Sequence, residues 1–144
     1  MAFIDGMHLS EFVLRDFMNI EPLMNSTGII IIDDVFPSHP IQASRERQSN
    51  VWTGDVWRFC QLLERSRPDL TLTYLNTSPS GMLVIGDLNP DSQLLRSTYN
   101  SLARTLNNES AIVPPDEWLD RTRAKEPTTE LLTHICRRFN LDAN

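Results

Sequence analysis

The hydrophobic pattern is most regular in residues 27–35, where four consecutive isoleucines are preceded by a glycine and end abruptly at two aspartates. A continuous β-branched run of this kind is typical of a strand buried on both faces of a parallel sheet. Residues 1–8 repeat the layout, because a Phe-Ile pair leads directly into an aspartate. The pattern therefore predicts two strands that each end at an acidic residue.

Between these two strands, the spacing of the apolar residues predicts an amphipathic helix. A strand, a helix and a strand within residues 1–35 form a βαβ unit, whose crossover is right-handed in nearly all proteins. Residues 70–75 alternate between apolar and polar side chains, and a Ser-, Pro- and Gly-containing turn separates them from a second apolar run, which predicts a hairpin over residues 70–86. Further helices are predicted near residues 54–66, 95–106 and 131–139.

These elements predict an α/β fold with a parallel βαβ unit, an antiparallel hairpin and flanking helices. A length of 144 residues is typical of one domain. We expect residues 1–88 to form the sheet and residues 89–144 to form a helical extension. No internal repeat divides the chain.

Composition excludes some classes of partner. The chain is 40% hydrophobic and 22% charged and carries a net charge of -6, so no global positive field favours nucleic acid. It has neither an apolar run long enough to span a bilayer nor the pattern of a signal peptide. We therefore expect a cytoplasmic protein that binds neither nucleic acid nor membrane.

The acidic residues at the strand ends are the first candidate site. If the two strands are parallel neighbours, Asp5, Asp33 and Asp34 meet at one edge of the sheet, where ligands of open α/β sheets bind. Such close carboxylates repel one another unless a cation or protons neutralise them, and a hard cation such as Mg²⁺ binds oxygen ligands. The alternative is that these aspartates only form turns or helix caps. His8 is either a base or ligand, or a helix-start residue that bonds to the backbone.

The connection over residues 36–51 is long, and its position after a central strand indicates a lid or a binding loop. Its cationic residues, Arg45 and Arg47, are candidates for binding a carboxylate or phosphate. His39 and Trp52 are weaker candidates for contacting a substrate. The alternatives are a solvated charge cluster for the arginines and a core position for the tryptophan.

Two motifs together resemble a known family. The sequence F-I-D-G-x-H, followed by a helix containing R-D and then by T-G-I-I-I-I-D-D-V, resembles the second half of a class I S-adenosylmethionine-dependent methyltransferase, in which FIDGxH lies on the fourth strand. The hairpin over residues 70–86 is similar to the sixth and seventh strands of that fold. The resemblance covers roughly residues 1–88 and implies a partial Rossmann-like sheet.

The resemblance implies a metal-assisted O-methyl transfer from S-adenosylmethionine to a small-molecule hydroxyl. Metal-dependent O-methyltransferases of this fold place one Asp after strand four and an acidic pair after strand five, which Asp5, Asp33 and Asp34 match. A Mg²⁺-type ion there would lower the pKa of the acceptor hydroxyl. Asp5 or His8 would then accept its proton.

The chain also departs from the family. The Gly-rich turn that binds the cofactor lies upstream of the FIDGxH strand in these enzymes, and no G-x-G is present here. The resemblance therefore implies either a fragment or a degenerate descendant that no longer transfers methyl groups. It also implies that the first strand is an exposed sheet edge, so we expect a homo-oligomer formed through that edge. The second functional hypothesis is a non-catalytic α/β interaction or assembly module.

Overall fold

The computed structural model describes residues 1–108 and 113–141. These residues form four strands and five α-helices. In chain order they are β1 (Ala2–Ile4), α1 (Ser10–Ile20), β2 (Ile30–Asp33), α2 (Val56–Ser66), β3 (Thr71–Leu75), β4 (Met82–Gly86), α3 (Leu94–Asn107), α4 (Asp116–Leu119) and α5 (Thr129–Arg138). Short 3₁₀ helices cover Glu21–Leu23 and Pro40–Ala43.

The strands form one mixed sheet in the order β1-β2-β4-β3. β1 and β2 are parallel and are joined through α1, whereas β4 is antiparallel to both of its neighbours. The predicted α/β class is therefore confirmed, with a parallel strand–helix–strand unit and an antiparallel hairpin. Ile4 lies opposite Ile32 in the register, so the acidic residues that follow them leave the sheet at the same end.

Helices cover both faces of the sheet, which explains why β2 is apolar at every position before its terminal aspartate. On one face, Ile30 and Ile32 belong to the main core, which also contains Phe17 of α1 and Phe59 of α2. On the other face, α5 packs through apolar side chains in a smaller cluster with β2, β3 and β4. The members of this cluster are Ile29, Leu75, Val84, Ile135 and Phe139.

The part of the chain after β4 therefore contributes to both layers. Trp118 of α4 is fully buried, and its ring lies 5.5 Å from the rings of both Phe36 and Tyr74. The segment that follows α4 runs beside β3, where Lys125 and Leu75 form an isolated parallel bridge. None of the helices in residues 1–108 and 113–141 has the length and hydropathy of a bilayer-spanning helix.

β1 lies at one edge of the sheet and, among the described residues, pairs with β2 alone. Phe3, in the middle of this edge strand, is 50% exposed, and Met1 and Met7 on either side of it are also exposed. The open edge thus carries apolar side chains next to the acidic end of the sheet.

Candidate metal site

The carboxyl ends of β1 and β2 position the acidic residues. The register that pairs Ile4 with Ile32 places Asp5 next to Asp33, because the two strands run in parallel. Asp34 follows with a φ of 60°, a left-handed conformation in which Asp is among the commoner non-glycine residues. The backbone N–H of Asp34 donates a hydrogen bond of 2.8 Å to Oδ1 of Asp33. The Asp33 carboxylate therefore accepts a backbone hydrogen bond. The Asp34 carboxylate lies next to His8 instead.

His8 completes the group. Its Nε2 lies 3.1 Å from Oδ2 of Asp34 and 3.5 Å from Oδ1 of Asp5. One donor atom from each of these three residues lies within 4.8 Å of the other two. The exposed side-chain fraction is 49% for Asp5, 23% for His8 and 16% for Asp34, so the group opens to solvent on the Asp5 side.

The hydrogen bond on the other ring nitrogen constrains this arrangement. Nδ1 of His8 lies 2.7 Å from the main-chain oxygen of Trp52. A carbonyl oxygen only accepts, so Nδ1 must carry the proton. Nε2 then faces two carboxylates, which also accept. The contacts at Nε2 are favourable only if a second proton makes the ring cationic or if a metal ion lies between the three groups.

The donor set fits a divalent metal ion. Metal–ligand bonds of about 2.1 Å place adjacent donors of an octahedral site roughly 3 Å apart, and the two separations measured from Nε2 are 3.1 and 3.5 Å. Two carboxylates would also balance the charge of such an ion. The residues able to hold it are Asp5, His8 and Asp34.

Asp33 lies beside this group, and the charges of the group affect its pKa. Burial raises the pKa of Asp33, and the neighbouring charges of Asp34 and Asp5 raise it further, whereas the hydrogen bond from the Asp34 backbone opposes the shift. The influence of Asp5 on Asp33 follows from the convergence of the strand ends. The sequence predicted Asp33 as a metal ligand together with Asp5 and Asp34. The structure instead groups the donor atoms of Asp5, His8 and Asp34.

The long loop supplies one candidate to the site. The ring of Trp52 stacks on that of His8, with 5.0 Å between the ring centroids and 23° between the planes. Its indole Nε1 donates a hydrogen bond of 2.6 Å to the main-chain oxygen of Ser44. Trp52 therefore contacts the group of Asp5, His8 and Asp34 through His8, with both its main-chain oxygen and its ring.

Arg45 anchors the loop to the helices. Its guanidinium donates to both carboxylate oxygens of Glu11 on α1 and to Oδ2 of Asp55, the residue before α2, at distances of 2.5–3.0 Å. The hydrogen bonds to Glu11 raise the pKa of Arg45 above its ordinary value. Arg45 is thus neither solvated nor a free anion clamp, because its charge is compensated within the fold.

The other two loop candidates lie apart from the group. Arg47 donates to the main-chain oxygens of Ser49 and Asn50. His39 caps the 3₁₀ helix that follows it, since its Nδ1 accepts the backbone N–H of Ile41. Within the described residues neither forms a hydrogen bond or ion pair with Asp5, His8 or Asp34, so the structure gives both of them local backbone roles.

Sequence reasoning missed Asp55 and Glu11. Asp55 is 2% exposed, accepts hydrogen bonds from the backbone and hydroxyl of Ser10, and also binds Arg58 at 3.2 Å. The only sequence signal is that Asp55 precedes a helix, where an Asp is an ordinary cap. Asp55 instead caps the start of α1, which lies far away in the sequence.

Comparison with known protein families, with curated proteins and with solved structures found no match to this chain.

Proposed function

We propose that the chain belongs to a divalent-metal-assisted methyltransferase, which transfers the methyl group of S-adenosylmethionine to a hydroxyl of a small molecule. The observation that carries the proposal is the grouping of Asp5, His8 and Asp34 at the carboxyl ends of two parallel strands. Support also comes from the sequence motifs that lead to these residues.

The proposed sheet is a partial Rossmann-like methyltransferase sheet. The features that support this assignment are the parallel pair β1–β2 joined through α1, the acidic residues at the carboxyl ends of both strands, and the hairpin that extends the sheet on the far side of β2. The donor requires a binding site of its own. The resemblance implies a Gly-rich turn for that site, and no G-x-G occurs in these 144 residues, so metal binding is the property to test in this chain.

The residues of the site would have different roles in ion binding and in proton transfer. A bound divalent ion would supply Lewis-acid stabilisation of the alkoxide that forms on the acceptor. His8 and Asp34 are the less exposed ligands and would hold the ion in place. Asp5 is the most exposed of the three, so an acceptor hydroxyl would approach from its side. Asp5 would accept the hydroxyl proton, or His8 would accept it in an arrangement in which His8 does not bind the ion, and fixed positions for donor and acceptor would provide much of the rate.

Metal binding tests this proposal without the methyl donor. Titration of the 144-residue chain with Mn²⁺, followed by calorimetry and by the loss of the free-ion EPR signal, is expected to show one saturable site. Asp34→Asn should lower the affinity by at least about 10-fold, because it removes an anionic ligand. Asp91→Asn is the matched control, since Asp91 is exposed and lies outside the group. Absence of saturable binding, or equal affinities in the two variants, would contradict the metal role.

A second function is favoured by the open edge of the sheet. We propose that the chain forms homo-oligomers through β1, because an edge strand that pairs on one side only among the described residues, with a half-exposed Phe3, is a template for pairing with another chain. Light scattering at increasing protein concentration should show a dimer that Phe3→Lys weakens. Leu94→Lys alters an apolar residue of similar exposure on α3, outside the edge strand, and should leave the dimer intact. A monomer at every concentration would contradict this interaction role.

A further inference from the structure

Residues 52–55, which connect the loop to α2, contact His8 on several sides. The main-chain oxygen of Trp52 accepts the Nδ1 proton, and the Trp52 ring stacks on the imidazole. Two residues later, Gly54 approaches so closely that an added Cβ would lie 1.7 Å from the carbonyl oxygen of His8. The backbone N–H of Asp55 then donates to that same oxygen at 3.2 Å. The segment therefore fixes both the backbone and the ring of His8.

These contacts determine which ring nitrogen is available. In a neutral imidazole one nitrogen carries the proton and the other carries a lone pair. Because Nδ1 donates to the Trp52 carbonyl, the lone pair of a neutral His8 ring would lie on Nε2, which faces Asp5 and Asp34. Histidines that bind metals commonly donate their second N–H to a backbone carbonyl in this way, and that bond sets the ring orientation.

We infer that Trp52 is the positioning residue for His8, and that His8 serves as the nitrogen ligand of the metal ion through Nε2 and not as the proton acceptor. This inference rests on the metal role proposed above and decides between the two roles open to His8. A coordinated Nε2 has no lone pair left for a proton. The acceptor proton would then pass to a carboxylate.

The chemistry of the donor set indicates which class of ion fits. Imidazole nitrogen favours transition metals such as Fe²⁺, Co²⁺ and Zn²⁺, whereas a site with oxygen ligands alone suits Mg²⁺ and Ca²⁺. With one nitrogen and two carboxylates, the site should bind Co²⁺ or Mn²⁺ well above Mg²⁺. Part of that preference should depend on the orientation of His8, and therefore on Trp52.

The test compares two substitutions of the same residue. Trp52→Phe retains an aromatic ring against His8, whereas Trp52→Ala removes it. With Co²⁺, Trp52→Ala should lose roughly 10-fold in affinity, the lower end of the range for outer-shell partners of metal ligands, because it removes the stacked ring but keeps the main-chain acceptor, and Trp52→Phe should lose much less. The affinity for Mg²⁺ should change little in either variant. Val51→Ala is the control, because it shortens an exposed side chain of the same loop.

A spectroscopic measurement separates ligation from a general loss of structure. In ¹⁵N-correlated NMR of the wild-type chain, Zn²⁺ should shift the Nε2 resonance of His8 and leave Nδ1 protonated. Visible absorption of the Co²⁺ form should change in His8→Gln and in Trp52→Ala, but not in Val51→Ala. Circular dichroism and thermal unfolding of each variant establish that it is folded at the temperature of the titration.

The outcomes distinguish this inference from the proposal on which it rests. Metal binding that needs Asp34 but leaves the His8 resonances unshifted would overturn the ligand role of His8 and keep the metal site. A Zn²⁺ shift at Nε2 with equal Co²⁺ affinities in wild type and Trp52→Ala would overturn the positioning role of Trp52. Absence of binding for every ion would overturn both the inference and the metal role.

Discussion

The anchor between the loop and the helices is the most direct target for mutation. Arg45→Gln removes the cation that bonds to Glu11 and Asp55, whose side chains are only 12% and 3% exposed. Asp55 keeps three other hydrogen bonds, two from Ser10 and one from Arg58. Glu11 loses the only side-chain donor found for it among the described residues. The substitution therefore leaves one largely buried carboxylate without its partner.

The loss in free energy of unfolding caused by Arg45→Gln can be bounded from these contacts. Breaking a buried ion pair by removing one partner costs about 3–5 kcal/mol. We expect a value at or slightly below the lower end, about 2–3 kcal/mol, because Asp55 stays compensated and Glu11 can take up some water. For a chain of this size each kcal/mol lowers Tm by about 2–4 °C. The expected decrease in Tm is therefore about 5–10 °C.

A double-mutant cycle isolates the pair. Urea unfolding followed by tryptophan fluorescence gives the free energy of unfolding of the wild type, Arg45→Gln, Glu11→Gln and the double variant. We expect a coupling energy of about 1–3 kcal/mol at neutral pH, as for other residues in contact. If Arg45→Gln costs the same free energy whether position 11 is Glu or Gln, the loop is not anchored by this pair and the reasoning is refuted.

The coupling should also depend on pH. Burial by itself would raise the pKa of Glu11, but the hydrogen bonds from Arg45 and the backbone and the charges of Arg45 and Arg58 together outweigh burial, so the pKa lies below its ordinary value of 4.5. A lowered pKa in the folded state stabilises the protein above the unfolded-state value, and that contribution is lost as the pH falls through the folded-state pKa. The coupling energy should therefore be constant near neutrality and decrease below about pH 4.5.

Two further predictions concern other parts of the fold. Gly54→Ala should lower the free energy of unfolding by about 3 kcal/mol or more, because φ is +56° and the new Cβ meets the carbonyl of His8. Thermal unfolding measures the loss, and an unchanged Tm would contradict the close approach. The hydrogen bond from the buried Arg67 lowers the pKa of Asp69 below 3.8. Asp69→Asn should therefore destabilise the chain at pH 6 and less so as the pH falls below about 3.8, and urea midpoints that differ equally at both pH values would refute this.

The sequence was sufficient to predict the sheet because its signals are local. The isoleucine run has the burial pattern of a strand covered on both faces, and the structure covers it with helices on both sides. The change to Asp33 at the end of that run marks the edge of the sheet. Parallel pairing with β1 then follows from the strand–helix–strand order, and the convergence of Asp5 with the acidic pair follows from the register.

The surroundings of His8 could not be predicted in this way. Trp52 is 44 residues away in the sequence, and the pairs Glu11–Arg45 and Ser10–Asp55 are separated by 34 and 45 residues. No periodicity connects such positions. The left-handed conformation of Asp34 could not be predicted either. It directs the Asp34 carboxylate toward His8, whereas the Asp33 carboxylate accepts a hydrogen bond from the backbone.

The site therefore consists of two parts, the two carboxylates and the imidazole, whose positions depend on different contacts. The separation of Asp5 from Asp34 depends on the hydrogen bonds between β1 and β2, so it should change only when the sheet changes. The position of Nε2 of His8 depends on the loop, which is held by the ion pairs of Arg45 and by the ring of Trp52. If His8 is the nitrogen ligand inferred above, substitutions in the loop should displace its Nε2 while the two carboxylates stay in place. For that reason we expect the preference between metal ions to respond to loop mutations more strongly than the binding of Mg²⁺ itself.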